Sequence, residues 1–388
     1  MLRVLSIFGT RPEAVKMAPV VMALANTAGV ESKVCVTAQH RQMLDQVLTL
    51  FDIHPDVDLN LMRPNQSLAE LTADILTHLE PVIRSIQPDW ILVQGDTTTV
   101  MATALLGYYN HIKIGHVEAG LRTGDKWQPF PEEINRRIAG VMADLHFAPT
   151  QHSRQNLLRE GIDDRCILVT GNSAVDALQA IVKKPSPPEI NSLLDKLDIH
   201  PGGRQLILVT AHRRENLGRP LADICLALRR LAETYADRLQ LVYPVHLNPN
   251  VQEPVYRLLG DVPNITLLPP LDYLPMVHLM QHATLVLTDS GGIQEEATGL
   301  KIPALVLRLV TERPEGVDAG ILKLVGTDPE LIFNETRRLL DNQADYLAMA
   351  NTPNPFGDGH AAGRIVNALL NYPLASDLPG LDREGRIE

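Results

Sequence analysis

Three acidic residues, Asp96, Glu118 and Glu132, lie at separate loop ends in the first half of the chain, and two of them closely follow candidate strands. Proton-transfer chemistry needs such groups on opposed sides of a substrate. Each also has a structural explanation, because Asp96 could cap the next helix, and Glu132 and Glu133 are favoured by the dipole of a first helical turn. Three separate carboxylates nevertheless indicate acid–base chemistry.

The turn after the first candidate strand favours a phosphate group. Gly9 permits a tight turn, and Pro12 suits a first helical turn because its nitrogen has no hydrogen that needs a partner. Arg11 lies beside this helix N-terminus, and Lys16 follows one turn later. Free amides, the helix dipole and two cations attract a phosphate, although a plain strand–helix turn with solvated charges has the same pattern.

A histidine in the second half of the chain is a candidate for contact with a phosphate. His212 follows a candidate strand and precedes Arg213 and Arg214. In this position its imidazole could contact a leaving phosphate. An isolated histidine is more often a packed bystander, so both interpretations stay open.

A glycine-rich turn, Ser290-Gly291-Gly292, separates another candidate strand from a helix. Backbone amides at such a helix N-terminus suit a diphosphate, and Glu295 or Glu296 would lie near a ribose diol. Glycine-rich turns are common, so this turn alone is weak evidence for a ligand.

The elements that must position these residues alternate between short β-branched runs and amphipathic stretches. This alternation predicts α/β architecture, with parallel sheets covered on both faces and ligands at the carboxyl ends of the strands. The polar stretch Lys183–Pro188 indicates a linker or boundary loop between two doubly wound halves, and the cleft between such domains is the default site. Candidate strands are Arg3–Phe8, Lys33–Thr37, Trp90–Gln94, Lys113–Val117, Ile167–Thr170, Gln205–Thr210, Gln240–Tyr243, Ile265–Leu268, Leu285–Thr288 and Ala304–Leu307.

Composition excludes several classes of function. The net charge of −11 argues against nonspecific nucleic-acid binding and against docking on an anionic membrane. The three cysteines are far apart, lie in apolar stretches and lack zinc-ligand spacing, which suits buried thiols in a reducing compartment. Met1–Ala25 is a poor signal peptide because Arg11, Glu13 and Lys16 interrupt its apolar residues, and no uncharged apolar run of about 18 residues occurs in the sequence. We therefore expect a soluble cytoplasmic protein without a metal or redox cofactor.

Nine motifs occur along the chain in a defined order: FGTRPEAVKMAP, TAQHRQMLDQVL, GDTTT, GHVEAGLRTGD, PEEINRR, HRREN, YPVHLNPNV, TDSGGIQEEA and TERPEGVDAG. In order and spacing they resemble the non-hydrolysing UDP-N-acetylglucosamine (UDP-GlcNAc) 2-epimerases. The resemblance extends from Arg3 to about Asn371. A single motif could arise by chance, but the ordered set is specific.

The resemblance implies a glycosyltransferase-B-type fold with two Rossmann-like domains, parallel sheets and a deep interdomain cleft. The N-terminal domain would comprise residues 1–172 and be completed by a C-terminal helix at about 359–375. Residues 173–358 would form the UDP-binding domain. The family is usually dimeric, so a homodimer is the expected assembly.

The resemblance also implies roles for individual residues. The catalytic positions are Asp96, Glu118, Glu132 and His212. The substrate-binding positions are Arg11, Lys16, Ser290, Gly291, Gly292, Glu296 and Arg313. Family members often bind a second UDP-GlcNAc as an allosteric activator, and Glu132 would be shared between the two sites. The other positions that match this second site are Gln39, Gln42, Arg213 and His246.

The implied reaction inverts carbon 2 of UDP-GlcNAc to give UDP-N-acetylmannosamine (UDP-ManNAc). The hydrogen on carbon 2 is not next to a carbonyl, so direct deprotonation is unfavourable. The family's route eliminates UDP to give 2-acetamidoglucal and then adds UDP back, with a proton delivered to the opposite face. Asp96, Glu118 and Glu132 would transfer protons, and His212 and Arg11 would stabilise the departing phosphate. Closure of the domains would exclude water.

Several positions depart from the family's pattern, chiefly Leu309 and Val310, where relatives usually have Asp and Thr. These departures leave the proposed catalytic residues intact. Three other functions fit the same fold: a hydrolysing epimerase that releases N-acetylmannosamine and UDP, a glycosyltransferase, and a non-catalytic UDP-sugar sensor. The whole-chain resemblance favours the non-hydrolysing epimerase over all three.

Overall fold

The computed structural model describes residues 1–37, 41–63 and 66–372, without the side chains of residues 41 and 42. The chain divides into two compact units, one made of Met1–Ser173 with the chain from Gly359 onward, and the other of Ala174–Asp358. Each unit contains one sheet, and every strand pairing in both sheets is parallel. The predicted α/β fold class with two Rossmann-like sheets is confirmed.

The first unit has a seven-stranded sheet. Its strands are β1 (Leu2–Phe8), β2 (Val30–Val36), β3 (Val57–Asp58), β4 (Trp90–Gln94), β5 (Lys113–Val117), β6 (Leu145–Ala148) and β7 (Ile167–Val169). Its helices before the unit boundary are α1 (Arg11–Ala25), α2 (Arg41–Leu50), α3 (Leu68–Ile86), α4 (Thr98–Tyr109), α5 (Glu132–Met142) and α6 (Gln151–Arg159). The strand order is β3-β2-β1-β4-β5-β6-β7. Because helices cover both faces, β4 is buried along its whole length.

The second unit has a six-stranded sheet. Its strands are β8 (Gln205–Thr210), β9 (Leu239–Pro244), β10 (Ile265–Leu268), β11 (Ala283–Thr288), β12 (Ala304–Val306) and β13 (Leu322–Leu324). Its helices are α7 (Ser173–Val182), α8 (Pro188–Lys196), α9 (Arg219–Thr234), α10 (Pro249–Leu259), α11 (Tyr273–Gln281), α12 (Gly291–Gly299), α13 (Pro314–Ala319), α14 (Pro329–Asp341) and α15 (Gln343–Ala350). The order β10-β9-β8-β11-β12-β13 repeats the doubly wound pattern of the first unit.

The last described helix, α16 (Ala361–Asn371), belongs to the first unit and packs against α1. Its buried residues recur at helical intervals: Ala361, Ile365 and Leu369 are all at most 1% exposed. This apolar stripe explains why a helix so distant in sequence packs in the first unit.

Three strands of the structure, β3, β6 and β13, do not follow from the sequence pattern. Each is short and contains a titratable residue, Asp58, His146 or Lys323, so none shows the uninterrupted run of apolar or β-branched residues by which the similarly short β7, β10 and β12 are recognised. The Lys183–Pro188 stretch connects α7 to α8 inside the second unit, so it is a loop and not a domain boundary. Within the described part of the chain, no helix combines the length and apolar character needed to cross a membrane.

Candidate active site

Asp96 lies between β4 and α4, where Arg136 of α5 forms an ion pair with its carboxylate. Asn135 of the same helix donates from Nδ2 to the Asp96 carbonyl at 3.0 Å. The α4 N-cap is Thr97, whose hydroxyl accepts from the Val100 amide. Asp96 is therefore not a helix cap, because its side chain is engaged by α5. The ion pair with a buried guanidinium holds this carboxylate at the carboxyl edge of the sheet.

Glu118 follows β5 in the left-handed backbone region, with φ of 64°. Lys16 of α1 forms an ion pair with its carboxylate, and Asn172 donates from Nδ2 to the same oxygen at 3.2 Å. The Lys16 and Glu118 side chains are only 13% and 9% exposed. Lys16, expected to hold the substrate, is thus engaged by a carboxylate that is expected to transfer protons.

Glu132 and Glu133 open α5, but their environments differ. Glu133 is fully buried and accepts from the Thr123 and Gly124 amides at 3.2 and 3.3 Å. It also pairs with Arg136 at 3.3 Å, so it has a structural role. Glu132 as a residue is partly exposed, but its Oε2 is buried and has no hydrogen-bond partner among the described residues. Glu132 is therefore the carboxylate of this pair that a substrate could engage.

The turn between β1 and α1 differs from the expected phosphate cradle. The buried Glu13 carboxylate accepts from the amides of Gly9 at 3.0 Å and Thr10 at 2.7 Å, and from the Thr97 hydroxyl at 2.6 Å. Burial raises the pKa of Glu13, and these hydrogen bonds oppose that rise. Two amides expected to be free are therefore occupied, because Glu13 folds back over the turn. Arg11, partly exposed, remains as a candidate phosphate contact at this turn.

In the second unit, Asp289 organises the loop that contains His212. Asp289 follows β11 and is fully buried. Its Oδ2 accepts from the backbone amides of His212 and Arg213, both at 2.8 Å, and from Asn216 Nδ2 at 2.9 Å. Three donors on one oxygen fix the loop after β8 against the end of β11.

The His212 ring is held between a carboxylate and a second imidazole. Its Nδ1 lies 3.8 Å from Asp289 Oδ1, and its ring stacks on that of His246 with centroids 5.1 Å apart. Burial lowers the pKa of His212, Asp289 opposes this shift, and His246 and Arg213 add to it. The structure thus brings a predicted catalytic residue against a predicted allosteric one.

Arg313 lies at the N-terminus of α12. A Cβ built on Gly291 would lie 2.5 Å from Arg313 Nη1, so the guanidinium occupies the space that a side chain would fill. Arg313 donates from Nε to Glu295 at 2.8 Å, and Glu312 is 3.5 Å away. A cation and the positive end of a helix dipole converge here, which attracts an anion. Glu295 is engaged by Arg313, and Glu296, partly exposed, is the other candidate for a ribose diol.

The segment with the unusual Leu309 and Val310 is anchored by its neighbours. Arg308 donates to Glu215 at 2.7 Å and to Glu312 at 2.9 Å. Burial raises the pKa of Glu312, but the two arginines beside it lower the value to about 2. Leu309 and Val310 are 84% and 70% exposed, so the ion pairs that hold the segment do not depend on them.

Candidate residues flank the reversal of strand order in each sheet. In the first unit Arg11 follows β1 and Asp96 follows β4, and these strands are neighbours where the order reverses. In the second unit His212 follows β8 and Ser290 follows β11 in the same relationship. Doubly wound folds bind ligands at this point, so in each unit, taken by itself, the candidate residues lie where a ligand is expected.

Some candidates lie beyond what the structure describes, and some relevant residues were missed. Gln39 lies outside the described residues, and of Gln42 only the backbone is described. Sequence reasoning gave no role to Arg136, Asn172 or Asp289, because their partners lie on other elements. Among the described residues, no group of three or more His, Cys, Asp or Glu side chains could hold a metal ion.

Comparison with known proteins identifies the family. A family model for UDP-N-acetylglucosamine 2-epimerase matches residues 22–370. The UDP-N-acetylglucosamine 2-epimerase of Escherichia coli strain K12 is 54% identical over 379 residues, which cover 96% of this chain and 100% of that protein. Its counterpart in Salmonella typhimurium is 53% identical, with 96% and 100% covered.

A solved structure gives the same result. The crystal structure of UDP-GlcNAc 2-epimerase from Neisseria meningitidis bound to UDP-GlcNAc has a TM-score of 0.89 and 47% identity, and covers 96% of this chain and 100% of that chain. These matches confirm the resemblance found in the ordered motifs, and the chain belongs to the UDP-N-acetylglucosamine 2-epimerase family.

Proposed function

We propose that this chain interconverts UDP-GlcNAc and UDP-ManNAc at carbon 2 without net hydrolysis. The observation that carries the proposal is the set of three carboxylates at the carboxyl edge of the first sheet, in a chain of this family. Asp96 and Glu118 are each held by a cation, and Glu132 keeps a carboxylate oxygen without a partner among the described residues. This arrangement supports proton transfer by more than one group.

The proposed reaction is an elimination followed by an addition. A carboxylate takes the proton from carbon 2, the C1–O bond breaks, and UDP leaves with the bonding electrons. The C1=C2 double bond of 2-acetamidoglucal forms. UDP then adds back at carbon 1, while carbon 2 receives a proton on the opposite face. Two faces require two proton-transfer groups, which Asp96, Glu118 and Glu132 can supply.

The second unit supplies the candidate nucleotide contacts. Arg313 at the start of α12, with the amides of Gly291 and Gly292, suits the diphosphate, and Glu296 suits the ribose. His212 and Arg11 would stabilise negative charge on the departing phosphate.

Proton NMR of the purified protein with UDP-GlcNAc in deuterated water tests this function. We expect UDP-ManNAc with deuterium at carbon 2 and no accumulation of free sugar. Release of N-acetylmannosamine and UDP would instead identify a hydrolysing epimerase. Binding with no change in the substrate would identify a UDP-sugar sensor and direct attention to Leu309 and Val310.

We further propose that UDP-GlcNAc also acts as an activator at a second site that includes Arg213 and His246. The stacking of His246 on His212 supports this, because a ligand that moves one ring must disturb the other. Activation predicts a sigmoidal rate curve, and a reverse reaction from pure UDP-ManNAc that needs added UDP-GlcNAc. A hyperbolic curve with full reversal from UDP-ManNAc alone would contradict it.

We propose a homodimer formed through α4 and α5. The polarity of α5 is inverted: its buried side has Glu133, Asn135 and Arg136, whereas Ile134, Ile138 and Val141 are exposed. An exposed apolar stripe opposite a polar buried face indicates a partner surface.

The size of this surface agrees with a second copy as the partner. Helix α4 packs on α5 and ends at Tyr108 and Tyr109, which are 63% and 62% exposed. These tyrosines alone present roughly 200 to 300 Å² of surface. With the α5 stripe and a polar rim they approach the about 800 Å² per partner that is usual for a stable interface.

The expected location is the cytoplasm, where the product would supply N-acetylmannosamine units for cell-surface polysaccharides. The cysteines support a reducing compartment. Cys35 and Cys225 are buried free thiols whose pKa burial raises to about 12, while Cys166 is only partly buried.

A further inference from the structure

The two oxygens of the Asp289 carboxylate have different environments. Oδ2 accepts three N–H groups, whereas Oδ1 is buried without a hydrogen-bond partner among the described residues. A buried carboxylate oxygen without a donor is costly, and native proteins rarely keep one without a functional reason. The asymmetry therefore calls for a donor that reaches Oδ1 in another state of the protein.

His212 Nδ1 is placed to be that donor. It lies 3.8 Å from Oδ1, so a shift of roughly 0.8 Å would form a normal hydrogen bond. The His212 backbone is already tied to Oδ2, so the ring needs only a small rotation. Its side chain is 37% exposed, which leaves one edge of the ring accessible to a ligand.

We propose that Asp289 is a positioning residue for His212: its Oδ1 accepts the Nδ1–H of His212 when a diphosphate binds, and Nε2 is thereby directed at the diphosphate. The inference rests on the proposed function, which makes a nucleotide diphosphate the ligand. The hydrogen bond made by one ring nitrogen selects the tautomer of a histidine, so Asp289 decides which nitrogen meets the ligand.

The electrostatics agree with this role. In the free protein, burial lowers the pKa of His212, Asp289 opposes this shift, and His246 and Arg213 add to it. A bound diphosphate adds negative charge on the Nε2 side, while Asp289 supplies it on the Nδ1 side. Both favour an imidazolium, whose Nε2–H can donate to the phosphate as UDP departs.

The test is nitrogen NMR of protein labelled with ¹⁵N in its histidine rings, with saturating UDP as the ligand. The His212 signal is identified by its loss in His212→Gln. We expect a proton on Nδ1 of His212, with or without a second proton on Nε2. A proton on Nε2 alone in the wild-type complex would overturn the proposal, and this result needs no Asp289 variant that might fail to fold.

Asp289→Asn provides the second arm. The three donors at Oδ2 require the amide oxygen of the new side chain, so its NH₂ group faces His212 Nδ1 and moves the ring proton to Nε2. We expect kcat to fall about 100-fold, while the Kd for UDP changes less than about threefold. Unchanged kcat together with an unchanged tautomer would refute the role.

Asp237→Asn is the matched control, because Asp237 is exposed in the same unit. It should leave the tautomer, the Kd and kcat unchanged. The proposed function is judged separately, by epimerisation in the wild-type protein. If the wild type binds UDP with Nδ1 protonated but does not epimerise UDP-GlcNAc, the function fails and the inference about Asp289 stands.

Discussion

The Arg136 guanidinium forms an ion pair with the Asp96 carboxylate and joins α5 to the turn that follows β4. The Arg136 side chain is 6% exposed and also approaches Glu133 at 3.3 Å, so one buried cation serves two acids. A candidate catalytic carboxylate is thus positioned by a residue 40 positions away in sequence. Both partners lie in the first unit.

Asp96→Asn should lower kcat by about 10²- to 10⁴-fold, because it removes a proton-transfer group. The Kd for UDP should change little, since the candidate nucleotide contacts lie in the second unit. Steady-state kinetics and calorimetry measure the two effects. Asp52→Asn, at an exposed position, is the control. A kcat within threefold of wild type would exclude Asp96 from the chemistry.

The Lys16–Glu118 pair predicts coupling in a double-mutant cycle of Lys16→Met and Glu118→Gln. Because both side chains are nearly buried, we expect a coupling of about 1 to 3 kcal/mol in the free energy of unfolding. Urea denaturation measures it. The exposed Arg84–Glu80 pair on α3 is the matched control, with an expected coupling below about 0.5 kcal/mol. Equal coupling energies in the two cycles would show that the buried pair stabilises the fold no more than the exposed pair does.

Gly291→Ala should weaken UDP binding at least about tenfold, because the added Cβ would lie 2.5 Å from Arg313 and displace its guanidinium. Gly292→Ala provides the contrast, since a Cβ there meets no atom within 4 Å. We expect its loss of affinity to be smaller. Isothermal titration calorimetry gives both Kd values, and a reversed order would argue against an Arg313 contact with the nucleotide.

Stability should fall as the pH drops below about 6.5. Burial lowers the pKa of His116 to about 3 and of His146 to about 4. In the unfolded chain these rings titrate near pH 6.5, so between about pH 6.5 and 4 the unfolded state binds more protons and is favoured. In the lower part of this range, each of the two rings should lower the free energy of unfolding by about 1.4 kcal/mol for every pH unit of acidification.

Urea denaturation of the wild type at several pH values measures this slope. His146→Gln should reduce the slope by the contribution of about one proton taken up on unfolding. His54→Gln, at an exposed position, should leave the slope unchanged. The same slope in all three proteins would show that buried histidines do not determine the acid sensitivity.

Val141→Glu should convert the proposed dimer into a monomer, because it places a charge in the middle of an apolar interface. Light scattering after size-exclusion chromatography gives the mass. Leu226→Glu, at a residue 50% exposed on α9 of the second unit, should leave the dimer intact. A monomeric wild-type protein would rule out α4 and α5 as a self-association surface.

The sequence by itself determined the fold class, the family and most candidate residues. Strand–helix alternation is a local property, and a glycine or proline at a strand end acts within a few residues, so both are readable along the chain. The strands β3, β6 and β13 were not predicted, because each is short and its apolar run is interrupted by Asp58, His146 or Lys323. The family followed from nine ordered motifs, whose joint occurrence needs no coordinates.

Only the tertiary structure decided which charges meet. That the Thr97 hydroxyl donates to Glu13, that Lys16 pairs with Glu118, and that Asp289 holds the His212 loop all depend on contacts between distant segments. Charge and hydrogen-bond interactions act over a few ångströms in space, while sequence patterns report only on neighbours along the chain. A residue type therefore limits what a side chain can do, and the packed fold selects its partner.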